Sequence, residues 1–407
     1  MTAPVDPAGA VIAARAGYGR LLAVLAASSG DVNAAEDALA DAFERALVTW
    51  PERGVPANPE GWLLTVSRNR LKDHWKSAEV SRTTWFEAAP EPISMDDLDL
   101  EAVGDRRLEL MLVCAHPAIA PADRTPLMLA TVLGFTAAQI AGSFAVPATT
   151  MATRLTRAKK RIKANRIPFI VPDRQVLPER MEAVLEAVYG AYAIEHSAID
   201  PLPQGMVPEA LQLAEILTEV APDDPEAHGL AALVELSAAR QRARVDADGS
   251  FVSLTDQDPA DWDQKLIMRA HDHLRRAHAM GVLGRFQVEA AIQAVHCART
   301  GTEAPQWARI IELYGVLQRL APTWGSGVAR AAAIAELDGP QVGLAALTEL
   351  GKFPETLQVG WAVQAHLLAG VGRTEEARAS YERAISLAGD PAERAWLESR
   401  RDACPDS

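Results

Sequence analysis

The stretch TAAQIAGSFAVPATTMATRLTRAKKRIK, residues 136–163, predicts two short helices joined by a tight turn. Thr136 followed by Gln139 is the capping-box pattern that starts a helix. The residues Ala145, Val146 and Pro147 then interrupt the helical pattern. In the second helix an apolar stripe recurs at helical spacing, and it is formed by Met151, Leu155, Ala158 and Ile162. The pattern is typical of a helix-turn-helix.

The face of the second helix opposite this stripe is polar and basic. From Arg154 to Arg166, seven of thirteen residues are Lys or Arg and none is acidic. In a helix-turn-helix the start of the second helix enters the DNA major groove, where Thr and Arg can contact bases while later cations hold phosphates. The predicted DNA contacts are Thr149, Thr150, Thr153, Arg154, Arg157, Lys160 and Arg161. The alternative, a solvated amphipathic helix, is disfavoured by the absence of acids.

A basic helix is unexpected in a chain of 407 residues with a formal net charge of -14. Residues 1–170 contain 19 basic and 19 acidic side chains, whereas residues 171–407 contain 21 basic and 35 acidic ones. The net acidity therefore belongs to the second part. Net charge is informative about partners only after this division.

The composition predicts a helical protein of two or three domains. Aromatic residues make up only 5% of the chain. The sequence has no long uninterrupted apolar stretch, so a membrane span is not predicted. The start of the chain does not resemble a secretory signal. Three widely spaced cysteines argue against a disulfide framework, so we expect a cytoplasmic location. Cys114 lies near His116, but without further ligands nearby a zinc site is not predicted.

A second candidate DNA-binding segment lies on an earlier helix. Asn58 and Pro59 predict the start of this helix, which carries WLLTVSRNRLKDHWK. Basic and aromatic groups together suit a partly opened DNA strand, through stacking and phosphate contacts. The candidate residues are Trp62, Arg68, Asn69, Lys72, Asp73 and Lys76. An ordinary surface helix with a core Trp is the alternative, and physical grounds alone do not choose between them.

The chain divides into four predicted segments. A helical domain spans 10–76, an acidic linker 77–104 and a second helical domain 105–165. The remainder, 179–407, is predicted to be a helical extension interrupted at 244–263. Near its end Trp361, Ala365, Ala377, Tyr381 and Ala384 follow the spacing of tetratricopeptide (TPR) repeats. A TPR-like array is favoured over an irregular helical bundle.

Several of these stretches together resemble a known family. The segments DVNAAEDALADAFERAL, NPEGWLLTVSRNRLKDHWK and LGFTAAQIAGSFAVPATTMATRLTRAKKRI resemble the two conserved regions of bacterial extracytoplasmic-function (ECF) sigma factors. Stretches such as RIPFIVPD, LPERMEAVLEAVY and ARVDADGSFVSLTDQD resemble the subgroup with a long TPR-like C-terminal extension. The resemblance implies an all-α fold with sigma region 2, a linker, sigma region 4 and the extension.

The resemblance also implies partners and roles. The acidic helix with Asp37, Asp41 and Glu44 would bind the clamp of the β′ subunit of core RNA polymerase. The 62–76 helix would recognise and help to open the −10 promoter element, and the 149–161 helix would read the −35 element. The acidic extension is expected to regulate these domains, within the chain or through a protein regulator, or simply to provide a solvated surface.

The sequence leaves two other functional classes open. A TPR-type scaffold and a helix-turn-helix repressor that acts without polymerase are the alternatives. No enzyme motif is present, so neither catalysis nor a cofactor is expected. His271 and His278 share a helical face, but the residues around them do not complete a metal site, and no metal is predicted.

Overall fold

The computed structural model describes residues 17–79, 105–144, 146–173, 175–196, 206–246, 248–299 and 305–404. Within these ranges the chain is mainly helical and no strand forms, so the predicted all-α class is confirmed. Most of the predicted acidic linker, residues 80–104, lies outside the described residues. The chain divides into two compact units, a first unit that extends to Ile194 and a second unit from Val207 onward.

The first unit is built from eight helices in the described ranges. They are α1 Tyr18–Ser29, α2 Val32–Arg53, α3 Pro59–Glu79, α4 Arg107–Cys114, α5 Pro121–Thr131, α6 Ala137–Ser143, α7 Ala148–Ala164 and α8 Leu177–His196. Arg180 of α8 donates a hydrogen bond to the Leu112 carbonyl, at 3.0 Å. Helix α8 thus packs against α4 within the first unit. The predicted C-terminal extension starts at residue 179, inside α8. The predicted domain boundaries themselves remain sequence-based predictions.

Helix α2 corrects two details of the sequence reading. Asp31 caps it by accepting hydrogen bonds from the next helical amides, as local sequence favours. The pair Trp50 and Pro51 predicts that the helix ends at Trp50, but the helix continues to Arg53. Pro51 has no amide donor and its ring crowds the carbonyl one turn earlier, but the last turn is still closed, since Gly54 donates to the Trp50 carbonyl at 3.0 Å. The helical spacing of apolar residues also predicts a buried Leu47, but the buried face runs through Ala46 and Trp50 and leaves Leu47 54% exposed.

The second unit consists of further helices that pack mostly on their neighbours in sequence. They are α9 Met206–Val220, α10 Pro225–Ala239, α11 Gln264–Ala279, α12 Arg285–Cys297, α13 Trp307–Leu320, α14 Trp324–Asp338, α15 Pro340–Leu350, α16 Gln358–Gly370, α17 Thr374–Leu387 and α18 Pro391–Asp402. The predicted interruption at 244–263 is present as a loop, in which Val245 and Phe251 form an isolated antiparallel bridge. The extension is therefore helical, as expected.

The residues that suggested a TPR repeat lie together near the end of the second unit. Ala365, Ala377, Tyr381 and Ala384 are buried in one apolar cluster, against which Trp361 packs. Small residues at these positions let α16 and α17 approach closely, because an Ala side chain adds little width to a helix. The pairing of α16 with α17 is what the pattern predicts for one repeat. A repeat geometry for the whole extension remains a prediction.

Candidate nucleic-acid interface

The helix-turn-helix begins with the predicted cap. The Thr136 amide donates to the Gln139 side-chain oxygen at 2.8 Å, and the Gln139 amide donates to the Thr136 hydroxyl at 3.3 Å. Helix α7 starts immediately after Pro147, whose φ of -61° suits the entry to a helix. The residues buried on α7 are the four of the predicted stripe, Met151, Leu155, Ala158 and Ile162. The apolar stripe therefore fixes which face of α7 remains outside.

The outer face of α7 carries most of the predicted base and phosphate contacts. The exposed members of this set are Thr149, Thr150, Thr153, Arg157, Lys160 and Arg161. The Thr153 hydroxyl donates to the Thr149 carbonyl at 2.9 Å, and its oxygen can still accept a hydrogen bond. These side chains form a polar and cationic surface without an acidic residue of α7 among them.

Arg154 differs from the rest of the predicted set because its guanidinium contacts the first unit itself. Its Nε lies 2.7 Å from Asp123 Oδ1, and its other end donates to the Ala122 carbonyl. Both charged side chains are about three-quarters buried. In this conformation Arg154 positions the start of α7 against α5. To reach a base it would have to leave Asp123.

Two further lysines of α7 contact α2. Lys159 Nζ lies 2.6 Å from both carboxylate oxygens of Glu36, and Lys163 Nζ lies 2.6 Å from Asp31 Oδ2. Burial raises the pKa of Glu36, and the nearby charge of Lys159 partly opposes this effect. Since Asp31 is also the cap of α2, the basic helix is tied to the start of the acidic helix. Part of the α7 charge is thus neutralised within the first unit.

A glycine allows α1 to approach the segment after α5. A Cβ atom at Gly19 would lie 1.8 Å from the Val132 carbonyl oxygen, which is well inside van der Waals contact. Gly134, which follows, has a φ of +69° and lies against Tyr18. Helix α1 is therefore in direct backbone contact with the segment that leads into the helix-turn-helix.

The second candidate DNA-binding segment lies on α3. Asn58 caps this helix, with the Gly61 amide donating to its side-chain oxygen at 2.9 Å. Trp62 is half-buried, and its ring meets that of the buried Trp50 edge-on with centroids 5.6 Å apart. Further along α3, Asn69 and Asp73 are exposed. Trp62 therefore packs on the core edge, whereas the polar candidates face outward.

The cationic members of the α3 set are less uniform. Arg68 and Lys72 are half-buried, and burial lowers the pKa of Arg68. Lys76 lies within α3, but the position of its side chain is not among the described features. Arg70, which was not among the candidates, forms an ion pair of 2.6 Å with Asp41 of α2. This pair connects the two helices that carry the −10 and polymerase candidates.

The three acidic candidates of α2 lie on its outer face. Asp37 and Glu44 are exposed and Asp41 is half-exposed, at positions that follow one another on successive turns. Val48 continues the same face one turn later and is 67% exposed.

Sequence reasoning missed Lys159, Lys163 and Asp123. The two lysines were counted in the basic cluster but were not distinguished from the outward-facing cations. Their position near the buried stripe was the available signal, because Lys159 follows Ala158 and Lys163 follows Ile162. The partner Asp123 carried no local signal, since it precedes Arg154 by 31 positions.

The described residues offer neither a metal site nor a membrane-spanning helix. No group of three or more His, Cys, Asp or Glu side chains there is arranged to hold a metal ion. In the same part of the chain, no helix combines the length and apolarity needed to cross a membrane. Cys114 is fully buried beside Thr131, and burial raises the pKa of its thiol to about 12.

Comparison with known proteins agrees with this architecture. The sequence matches the family described as Sigma-70 region 2 over residues 14–80 and that described as Sigma-70, region 4 over residues 109–162. Residues 180–278 match a family of unknown function, DUF6596. An uncharacterized protein of Rhizobium meliloti (strain 1021) is 34% identical over 384 residues, which cover 91% of this chain and 90% of that protein. No solved structure matches the chain significantly.

Both sigma regions are thus present in the order that the sequence predicted. Sigma-70 regions 2 and 4 imply core RNA polymerase and promoter DNA as partners, and they occur in transcription factors rather than in enzymes. The match to DUF6596 accounts for part of the second unit. The chain therefore belongs to the sigma-70 family of RNA polymerase sigma factors, as an ECF-type member with an additional C-terminal DUF6596 domain.

Proposed function

We propose that this sigma factor directs polymerase to promoters whose −35 element is read by α7 and whose −10 element is read and opened by α3. The observation that carries the proposal is the outer face of α7. It presents three threonines and the cations Arg157, Lys160 and Arg161, while a buried apolar stripe holds the helix in place. Such a face can enter a major groove without burying an unpaired acid.

Within α7 the roles divide by position. Thr149, Thr150 and Thr153, near the start of the helix, contact base edges through a hydroxyl or methyl group. Arg157, Lys160 and Arg161 hold phosphates. Arg154 leaves Asp123 and contacts a base when DNA binds. Its guanidinium thus has an ion pair in the free protein and a charged hydrogen bond in the DNA complex.

On α3 the exposed Asn69 and Asp73 contact bases of the opened −10 strand. An Asn side chain can pair with adenine through two hydrogen bonds, and Asp accepts from the cytosine amino group. Arg68, Lys72 and Lys76 hold the strand backbone. Trp62, which packs on Trp50, supports the helix at the point where bases would stack.

The outer face of α2 is the proposed polymerase contact. Asp37, Asp41 and Glu44 would meet basic side chains of the β′ clamp, and Val48 would supply apolar contact beside them. Since polymerase contributes most of the binding energy, each DNA contact can stay modest. Specific promoter binding then depends on the assembled holoenzyme.

The role of α7 can be tested by replacing its exposed cations. The triple variant R157A/K160A/R161A should weaken holoenzyme binding to promoter DNA and reduce its dependence on salt, since three phosphate contacts account for a slope change of about 2–3 in log K against log salt. Binding is measured by filter retention or fluorescence over a range of salt concentrations. The matched control is K352A, which removes an exposed lysine of the second unit. An unchanged slope in the triple variant would contradict the proposal.

The acidic second unit is proposed to regulate promoter use, either within the chain or by receiving a protein regulator. The support for this is its charge, since the acidic excess of the sequence lies beyond residue 170. The first unit forms a compact body that includes α8, so removal of residues 206–407 leaves α8 in place. Transcription by core polymerase with this shortened chain is compared with that of the full chain. Equal transcript yield and equal affinity for core would eliminate the regulatory role.

A further inference from the structure

Two histidines meet where α10 packs on α11, in the second unit. His228 of α10 is 2% exposed, and the His273 side chain of α11 is 13% exposed. Their Nδ1 atoms lie 2.9 Å apart, and His228 Nε2 lies 3.1 Å from the Pro222 carbonyl oxygen. Both distances are hydrogen-bond lengths, so a proton lies on each of these two lines.

The Pro222 carbonyl limits where these protons are. A carbonyl oxygen only accepts, so His228 Nε2 carries a hydrogen. If His228 is neutral, its Nδ1 is an acceptor, and His273 Nδ1 donates to it and leaves a lone pair on His273 Nε2. If His228 is the imidazolium, it donates from Nδ1 instead, and His273 carries its hydrogen on Nε2. The two arrangements therefore differ in what His273 Nε2 offers to its next neighbour.

That neighbour is the carboxyl group of Glu235, on α10. Glu235 Oε1 lies 4.0 Å from His273 Nε2 and 2.9 Å from the guanidinium of Arg269. Glu235 is 3% exposed, and its Oε2 has no hydrogen-bond partner within the described part of the chain. Rotation of the carboxyl group about its last bond, by a shift of about 1 Å, brings it into hydrogen-bond distance of His273. A proton on the carboxyl would make it a donor to this nitrogen.

One proton more than a carboxylate and two neutral imidazoles carry completes the chain of hydrogen bonds. With that proton on Glu235, the carboxyl donates to His273 Nε2 and His273 Nδ1 donates to His228 Nδ1. With the same proton on His228, both of these bonds run in the opposite direction. Without it, either the carboxylate faces a lone pair of His273 or two Nδ1 lone pairs face each other at 2.9 Å. The observed geometry therefore fits the protonated chain.

The charges around Glu235 favour proton uptake. Burial raises the pKa of Glu235 to about 7. The charge of Arg269 opposes this increase without cancelling it, and Glu215 of α9 and Asp272 of α11 add to it. The carboxyl group is thus able to hold a proton near neutral pH.

The middle histidine has the opposite tendency. The pKa of His273 is lowered to about 4, chiefly by burial and further by the charges of His228, Arg276 and Arg269, while Asp272 acts against them. An imidazole of this kind stays neutral and accepts a hydrogen bond readily. His273 therefore connects the carboxyl to the second histidine without becoming charged itself.

The other elements packed on α10 also carry titratable groups. Arg285 of α12 pairs with Glu289 at 2.7 Å, and His296 follows two turns later on the same helix. Arg242 and Arg244 belong to the short 3-10 helix after α10. The charges that act on the buried carboxyl and on its histidine neighbour come instead from α9, α10 and α11.

We propose that Glu235, His273 and His228 hold one buried proton that stabilises the packing of α10 against α11, so that pH controls how firmly these two helices are joined. In the unfolded chain the carboxyl has its ordinary pKa of 4.5, which is lower than in the folded chain. The stabilisation is therefore complete below that value and is lost as the pH rises through the raised pKa of Glu235, about 7.

The hydrogen-bond chain is tested first in the unaltered full-length protein, with isotope-labelled histidine. Nuclear magnetic resonance should detect a coupling between the Nδ1 nuclei of His228 and His273, because a proton lies between them. This coupling should be strong at about pH 6 and weaker above about pH 8, where the extra proton has left. No coupling at any pH, or a coupling that pH does not change, would overturn the proposal.

The E235Q variant replaces the titrating carboxyl by an amide, whose N–H group can donate to His273 at every pH. Amide hydrogen exchange gives the opening constants of α10 and α11 in both proteins. The ratio of these constants, unaltered chain over E235Q, should rise by up to about tenfold per pH unit between about pH 5 and 7 and then level off. The ratio at each pH cancels the intrinsic pH dependence of exchange. A constant ratio would contradict the assigned proton.

Two further variants of α9 control for charge alone. E219Q removes an exposed carboxyl, and its opening constants should follow those of the unaltered chain at each pH. Glu215 lies 2.9 Å from Arg269, and its charge helps to hold the proton on Glu235. E215Q should therefore keep the pH-dependent step but move its midpoint to a lower pH. A midpoint that stayed in place or moved upward would refute the proposed site.

Discussion

Lys159 is one of two lysines through which the basic helix α7 contacts the acidic helix α2. It is 13% exposed and Glu36 is 20% exposed, so neither charge is well solvated. Replacement by Met, K159M, should destabilise the first unit by about 1–3 kcal/mol, because it leaves the Glu36 carboxylate partly buried without its cation. The free energy of unfolding is measured by urea denaturation.

The pH dependence of K159M supplies an internal check. Burial already raises the pKa of Glu36, and without Lys159 that pKa should rise further. When the pKa of Glu36 is higher in the folded state than in the unfolded state, the folded state binds the proton first as the pH falls. The stability lost in K159M should therefore become smaller as the pH falls through the raised pKa of Glu36. The control is K160M, which changes the exposed neighbour and should alter stability by less than about 0.5 kcal/mol. Equal losses in both variants would show that the Glu36 contact is energetically unimportant.

At the scale of elements, the approach of α1 to the segment after α5 depends on Gly19. The variant G19A would place a methyl group 1.8 Å from the Val132 carbonyl oxygen, so the two segments must separate. We expect a loss of about 1–3 kcal/mol in stability from this overpacking, together with faster amide exchange in both segments. Thermal denaturation and hydrogen exchange measure the two effects.

The control for G19A is another helical glycine of the first unit. Gly142 of α6 has nothing within 4 Å of its Cβ position, and its φ is not in the left-handed region. G142A should therefore stabilise the protein slightly, by about 0.5–1 kcal/mol, because Ala favours a helix over Gly. If G19A behaved like G142A, the close contact between α1 and Val132 would be absent in solution.

Predictability from sequence also differed between elements. The capping box of α6 and the buried stripe of α7 were predicted correctly, because both depend on residues within one or two turns. The predicted end of α2 at Trp50 was wrong, since burial of Trp50 in the tertiary structure outweighed the local effect of Pro51. The pair of Lys159 with Glu36 joins residues 123 positions apart, and local pattern carries no information about such contacts.

On the scale of the whole molecule, the second unit should respond to acid. Burial lowers the pKa of both His273 and His296 to about 4. In the unfolded chain each would take up a proton near pH 6.5, so stability should fall as the pH drops from there toward 4. Glu235 acts in the opposite direction, because burial raises its pKa to about 7 and the folded state binds that proton first. Since two histidines destabilise the folded state on acidification and one carboxyl stabilises it, the second unit should lose stability overall as the pH falls.

The expected loss between about pH 7 and pH 5 is about 1–2 kcal/mol. This loss of stability is measured by thermal denaturation of the full chain at several pH values. The variant H296L removes one of the titrating groups and should make the loss smaller, whereas E235Q should make it larger. A pH profile that neither substitution changes would exclude these groups as its cause.

The division of charge coincides with the proposed functional organisation. Residues 1–170, which have no net charge, carry the proposed promoter and polymerase surfaces, and the acidic excess of the sequence lies beyond them. Sequence reasoning located this division by composition alone. It could not locate the ion pair between Arg154 and Asp123, because these residues are 31 positions apart in sequence and meet only in the folded protein.

The central claim, that this chain is a promoter-specificity subunit, is tested most directly by run-off transcription. Core polymerase is incubated with genomic promoter fragments, with and without the full-length chain. We predict discrete transcripts that require the chain and that are lost with the R157A/K160A/R161A variant but retained with K352A. Transcripts that do not depend on the chain, or that are unaffected by the triple variant, would contradict this account.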